Sequence, residues 1–192
     1  MTGMDAGGFW KLVDHSRDKT ADLDEQRAWL CGRLALLPAG EIADFAVRLD
    51  EQRRRVDTWV HWQAATLICR GLCGMDSFFY FQAWLVGQGR AVFESVVSSP
   101  DALASVPQIQ RLASLRVDEV RDADWPDWEA LYRVPDDAFE VVSGGELDDL
   151  LESRGQVRAF DVSPGGDEVE MEDPAGIARR VPRLWALFGK TS

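Results

Sequence analysis

Residues 59–97, WVHWQAATLICRGLCGMDSFFYFQAWLVGQGRAVFESVV, restrict the possible folds more than any other part of this chain. They hold 8 of its 19 aromatic residues in 39 positions. Aromatic side chains bury large areas, so a stretch this rich in them must lie at the centre of a core. Gly71 is suited to the left-handed turn that ends a helix, with Leu72 folding back onto Leu67. Asp76 is suited to capping the next helix, since its carboxylate can accept from a backbone N–H and complements the helix dipole. The four residues Gly71 to Gly74 are then a short connection between two antiparallel neighbours.

In the second of these helices Phe78, Phe81, Leu85, Val92 and Val96 recur at three- to four-residue steps, a helical stripe. Phe79, Trp84, Val86 and Phe93 widen the stripe, which predicts contact from several sides. Gly87 and Gly89 weaken a helix interior. Either a break or close packing by a neighbour accounts for them, and the small surface of Ala64 and Ala65 favours packing.

The rest of the chain also reads as helices. Asp5 caps a first helix bearing Phe9, Trp10, Leu12 and Val13. Asp22 or Asp24 opens a second, with Leu30 and Leu34 inside and Pro38 as its stop. A third begins near Ala39, with Ile42, Phe45, Leu49 and Val56 in step, and Arg53, Arg54 and Arg55 read as a solvated face. It either continues into the helix after Asp57 or bends there. Beyond the hairpin, Ser99-Pro100 and Pro107 open short helices. Pro126 and Pro135 divide the next region into short pieces, and Gly144-Gly145 close it. Residues 156–172 fit either a small β-hairpin or an irregular acidic loop. Asp173-Pro174 starts a closing helix, broken at Pro182.

These patterns predict an all-α (mainly α) fold, a helical bundle around a central antiparallel helix hairpin. The expected organisation is one domain: a helical core over 5–117, an acidic extension over 118–173 and a closing helix over 174–189. Charge divides the same way. The balance is −1 over 1–117, −15 over 118–173 and +4 over 174–192, giving −12 in all. An acidic chain of this kind is not expected to bind nucleic acid, because phosphate recognition needs positive surface. No run of about 18 apolar residues suggests a membrane span. The opening MTGMDAGGFW lacks a basic region followed by an apolar one, so no secretory signal is expected. Three cysteines without a disulfide spacing agree with the cytoplasm as the expected location. Cys69 and Cys73 offer two thiolates where zinc wants four ligands, so no metal or other cofactor is expected.

Along most of its length the chain resembles a bacterial family of unknown function, domain-of-unknown-function family 4240. The resemblance rests on Met4, Asp5, Phe9, Trp10 and Leu12, then on Trp59, Trp62, Ala64, Ala65 and Ile68. It continues through Asp76, Phe78, Phe81, Trp84, Leu85, Gln88, Gly89 and Arg90, and closes on Pro182 to Phe188. It implies Ser-Asp-Asp where this chain has Gly74, Met75 and Asp76, and Arg where it has Gln82. This copy therefore departs from the pattern at polar positions. The family has no agreed activity, so the resemblance implies a fold and little function.

The sequence carries no signature of an established catalytic class. His61 lies four residues after Asp57, a spacing at which the two can meet on one helix face as a general base and its partner. A surface pair beside an aromatic core is the plainer reading. Trp62, Asp76, Gln82 and Arg90 combine polar groups with aromatics around the mouth of the hairpin, the composition of a ligand pocket, although such clusters are more often core. Two function classes follow. The first is a non-enzymatic protein-binding or regulatory module with a basic protein partner at the acidic segment 163–173. The second is an enzyme or small-molecule sensor with its site near the central hairpin.

Overall fold

The structure, a computed structural model, describes residues 3–189 and is mainly α-helical, with no strand among those residues. The first helices are α1 (Ala6–Lys19), α2 (Leu23–Leu34), α3 (Ala39–Arg55) and α4 (Trp59–Ile68). They are followed by α5 (Met75–Gly87), α6 (Arg90–Ser98) and α7 (Pro107–Ser114). Last come α8 (Glu129–Ser143), α9 (Leu147–Ser153), α10 (Pro174–Arg180) and α11 (Pro182–Phe188). Short 3-10 turns at 100–105, 117–119 and 122–124 join the middle elements. No helix of the described residues is long and apolar enough to cross a membrane.

Helix α5 is the hub. Phe78, Phe79, Phe81, Gln82, Ala83, Trp84, Leu85, Val86 and Gly87 are all buried, so little of its circumference meets water. Helices α1, α3, α4, α6 and α8 surround it. Its aromatics continue a ladder begun on α4. Trp59 stacks on Trp62 at 5.7 Å, Trp62 on Phe78 at 5.3 Å, and Phe78 on Phe81 at 6.2 Å. The buried apolar cluster runs from Met4 to Phe188, drawing in Leu131, Val134 and Ala138 of the acidic region.

Local chemistry sets most boundaries. Asp5 caps α1 by accepting from the Gly8 amide at 2.8 Å, and Asp22 caps α2 through the amides of Asp24 and Glu25. Asp173 caps α10. The carboxylate of Asp101, 8% exposed, does the same for α11 from a distance, accepting from the amides of Arg183 and Leu184. Helix α3 does not run on. It ends at Arg55, and the Thr58 hydroxyl caps α4 through the His61 amide at 3.3 Å.

Three expectations are corrected. The helix expected to span Asp76 to Val97 is two helices, because Gly89 has φ +85° and breaks it. Close packing does occur at Gly87, but against Trp128 and not the Ala64–Ala65 surface: a Cβ there would lie 2.4 Å from the indole Cζ3. Pro135 does not divide the following region, since α8 runs through it to the left-handed Gly144. Of the two readings of residues 156–172, the irregular one holds: they form a strap and not a hairpin, and its one β-bridge among the described residues joins Thr58 to Gly165.

The turn between α4 and α5 also differs in detail. The chain leaves α4 through Arg70 (φ 54°) and Gly71 (φ 88°), and Leu72 is 75% exposed, so it does not fold back onto Leu67. Helix α5 starts one residue before Asp76, with Gly74 at the cap position and no side-chain cap. Asp76 is an exposed first-turn acid. Asp76→Ala is therefore expected to cost only ~0.3 kcal/mol, the low end for an exposed charge near a helix N-terminus. Urea denaturation checks this, and a loss near ~1 kcal/mol would mean that the side chain caps the helix after all.

Candidate functional site

The sequence candidates divide into three places. Asp57 and Gln82 meet in a buried polar cluster. His61 and Trp62 are built into the packing of α4. Asp76 and Arg90 lie exposed at the starts of α5 and α6, and among the described residues no hydrogen bond, ion pair or ring contact joins either of them to Gln82. The backbone amide of Arg90 donates to Asp14 at 2.8 Å.

The cluster centres on a residue read from the sequence as solvent-facing. Arg53, in the last turn of α3, is 1% exposed. Its guanidinium lies over the Phe79 ring at 4.7 Å. One nitrogen donates to Gln82 Oε1 at 2.7 Å and stands 3.8 Å from Asp57 Oδ2. Another donates to Asp50 Oδ1 and to the Ala159 carbonyl, each at 3.3 Å. Gln82 returns its amide N–H to Asp57 Oδ1 at 3.1 Å. Asp50 takes the Tyr132 hydroxyl at 2.9 Å and the half-exposed Arg54 at 2.9 Å. Burial, then the charge of Asp50, pushes the Tyr132 phenol well above its ordinary range, so it stays a donor. Two arginines thus balance two aspartates, as burial of charge requires.

The cluster also holds the strap. The Ser163 amide donates to Asp57 Oδ2 at 2.9 Å, the Gly165 amide to the Asp57 carbonyl at 2.8 Å, and the Trp59 amide to the Gly165 carbonyl at 3.3 Å. Further along, the buried Gln63 donates to the Glu170 carbonyl at 2.7 Å and accepts from Arg180 at 2.8 Å. Arg158, 7% exposed, bonds Asp136 and Asp148 and lies over Phe160 at 5.1 Å. The strap is therefore tied down at 158–159, 163–165 and 170.

His61 and Asp57 do not form the expected pair. Asp57 precedes α4, outside the helix that would have aligned it. His61 Nε2 instead faces the Val96 carbonyl at 3.1 Å, and a carbonyl only accepts, so Nε2 carries the proton. Nδ1 then accepts from the Thr58 hydroxyl at 2.7 Å. Burial pulls the imidazole below its ordinary value and so favours the neutral form, and the bond to Val96 opposes this only in part. Trp62 donates its indole N–H to the Cys73 carbonyl at 2.9 Å. Both side chains have their polar atoms occupied by the chain itself.

A large concavity lies elsewhere. An open cleft of about 1120 Å3 runs between the α1–α2 corner, the end of α5, α7 and the start of α8. Arg17, Gln26, Gln88, Gln108, Trp128 and Arg133 are on its wall. Gln108 accepts from the Trp84 indole at 3.0 Å and donates to the Asp124 and Trp125 carbonyls. Gln26 Oε1 and Trp128 Nε1 are buried without a hydrogen-bond partner among the described residues. Apart from Gln88, this wall was not singled out in the sequence, because its residues come from four separated segments with no shared spacing.

A family model described as "Protein of unknown function (DUF4240)" matches residues 4–141. The chain belongs to that family. The match covers the Arg53 cluster and the cleft and stops before the strap. No curated protein and no solved structure matches the chain.

Proposed function

We propose that this family member is a non-enzymatic protein-binding module that presents its acidic strap to a basic partner. The observation that carries the reading is the state of the strap's carboxylates. Asp161, Asp167, Glu168, Glu170 and Glu172 are exposed, and no hydrogen bond or ion pair among the described residues engages their side chains. Other acids of the same region behave differently: Asp124, Asp136, Asp137 and Asp148 are each paired with an arginine.

The backbone supports the same reading. Tethers at Ala159, Ser163, Gly165 and Glu170 order the strap before any partner arrives. A pre-ordered segment loses less conformational freedom on binding than a floppy one. Clustered negative charge also speeds encounter with a basic surface, in a way that salt suppresses.

The test is a chain carrying D161N, D167N, E168Q, E170Q and E172Q together, compared with the parent in binding to oligolysine and to proteins co-purified from the native host. The parent is expected to bind both, more weakly as salt rises. The variant is expected to lose about tenfold to a hundredfold in affinity, since each exposed pair contributes up to ~1 kcal/mol. Equal retention of the same partners by both proteins overturns the proposal.

A further inference from the structure

We propose that the basic partner of the strap is a second copy of this chain, whose α1–α2 groove receives it. This rests on the reading of the strap as a surface for a basic partner. The groove is open, about 1240 Å3 in volume, and lies between α1, the end of α2 and the start of α3. Leu12, Trp29 and Leu37, all half-buried, give it an apolar floor. Lys11, His15 and Lys19 line it from α1 at four-residue steps, which puts them on one helix face. Arg33 lines it from α2.

These cations are unpaired. Among the described residues, no hydrogen bond or ion pair engages the side chain of Lys11 or Lys19. Arg33 has no ion pair among them either and lies over the Trp29 ring at 5.9 Å, with His15 against the same ring at 6.5 Å. Arginines elsewhere, Arg27, Arg55, Arg154 and Arg158 among them, are paired with acids of the chain. The groove's two acids, Asp5 and Glu41, gather at the end away from Lys19. There the Met4 amide donates to Asp44 at 2.9 Å, setting the start of α3 beside the start of α1, and Asp5 is engaged as the cap.

The strap is the complement. Its unpaired carboxylates follow Val157, 80% exposed, and Phe160, 57% exposed, so it offers apolar groups for the groove's floor and charge for its cations. It does not reach its own groove. Its acidic stretch is held to Asp57 and Gln63, beyond the end of α3, whereas the groove lies at Glu41, near the start of that helix. From Glu41 to Arg53 alone α3 covers about 18 Å, at 1.5 Å per residue. The pairing is therefore between copies. A reciprocal pair, each strap in the other's groove, uses both patches and closes. The net charge of −12 opposes association, but at about 0.15 M salt exposed charges act over only about 8 Å, so repulsion between distant parts is screened more than contacting pairs are.

Sedimentation equilibrium of the full chain, at concentrations up to about 1 mM, is the test. The parent is expected to be a reversible dimer at about 0.15 M salt and a monomer at about 1 M. A chain carrying K11Q, K19Q and R33Q, all exposed positions, is expected to keep the parent's denaturation midpoint and to weaken the dimer about tenfold or more. The five-residue strap variant is expected to weaken it likewise. Mixed in equal amounts, the two variants are expected to associate more tightly than either alone, since one keeps its strap and the other its groove. A parent that is monomeric at both salt concentrations, or a dimer that either variant leaves intact, overturns the inference. If that monomer still binds oligolysine, the strap reading stands and only the second copy falls. If it also binds labelled oligoglutamate, and K11Q, K19Q and R33Q abolish that binding, the groove belongs to a different, acidic protein and the inference falls too.

Discussion

Arg53→Leu is expected to destabilise the protein by about 3–5 kcal/mol, the usual result of removing one partner from a buried ion pair. The side chain is 1% exposed, and its loss strands several groups at once. Gln82 Oε1 loses its donor, Asp57 and Asp50 lose their counter-charge, and the Ala159 carbonyl keeps only the Tyr132 hydroxyl, 3.2 Å away. Arg54 and Arg55 are controls on the same turn. Arg54 is 53% exposed on Asp50, and Arg55 is 38% exposed on Glu94, so replacing either by Leu should cost ~1 kcal/mol or less. Urea denaturation of the three variants measures the difference. Limited proteolysis adds a second readout, because a strap freed at Ala159 should be cut near residues 156–162 sooner than in the parent. An Arg53→Leu chain within ~1 kcal/mol of the parent would show that the cluster holds neither the fold nor the strap.

Arg53 also shows where sequence pattern stops being informative. The triplet Arg53-Arg54-Arg55 has the composition of a solvated face, and two of the three do pair at the surface. What buries the first is a set of partners far away in the chain: Gln82, Ala159 and, through Asp50, Tyr132. No local spacing encodes that set. The helix caps were legible because their chemistry is local. Asp5, Asp22 and Asp173 bond amides two or three residues ahead, so composition and position suffice. Asp76 had the right composition, but Gly74 took the cap and left it inside the first turn. Pro135 was misread for the converse reason. A proline inside a helix normally breaks it, yet Leu131, Val134 and Ala138, fully buried around it, keep α8 continuous.

The candidate site follows the same division. That Asp57 and Gln82 would matter was legible, since polar residues amid aromatics stand out. Their union with Arg53 and a strap more than 75 positions further on was not. His61 and Asp57 satisfied a helical spacing that the break at Val56–Thr58 removes. The resemblance carried by Trp59 to Arg90 named the family correctly, and the match over 4–141 agrees with it. The strap lies beyond that match, so the acidic surface proposed to meet a partner is framed by residues the family model does not reach.

Gly89 carries the second large expected effect, and it tests the break between α5 and α6. Had this position been helical, alanine would have been tolerated or helpful. With φ +85° and ψ 162° it lies in a region that is essentially glycine's alone, which costs other residues ~1–3 kcal/mol. A Cβ there would also stand 2.8 Å from Asp14 Oδ1, the atom that accepts from the Arg90 amide at the start of α6. Gly89→Ala is therefore expected to destabilise by about 1–3 kcal/mol. Gly89→Leu should lose more than ~3 kcal/mol, because crowding of Asp14 and Arg17 adds an overpacking cost of ~1–3 kcal/mol to the backbone strain. Replacing Asp14 by Ala in the Gly89→Ala background separates the two effects. If contact with the carboxylate were the main cost, the double variant would recover most of the loss. If the backbone dominates, it recovers little and also loses the bond to Arg90. Denaturation midpoints of the four proteins decide this, and a Gly89→Ala chain as stable as the parent would mean that α5 and α6 are one continuous helix.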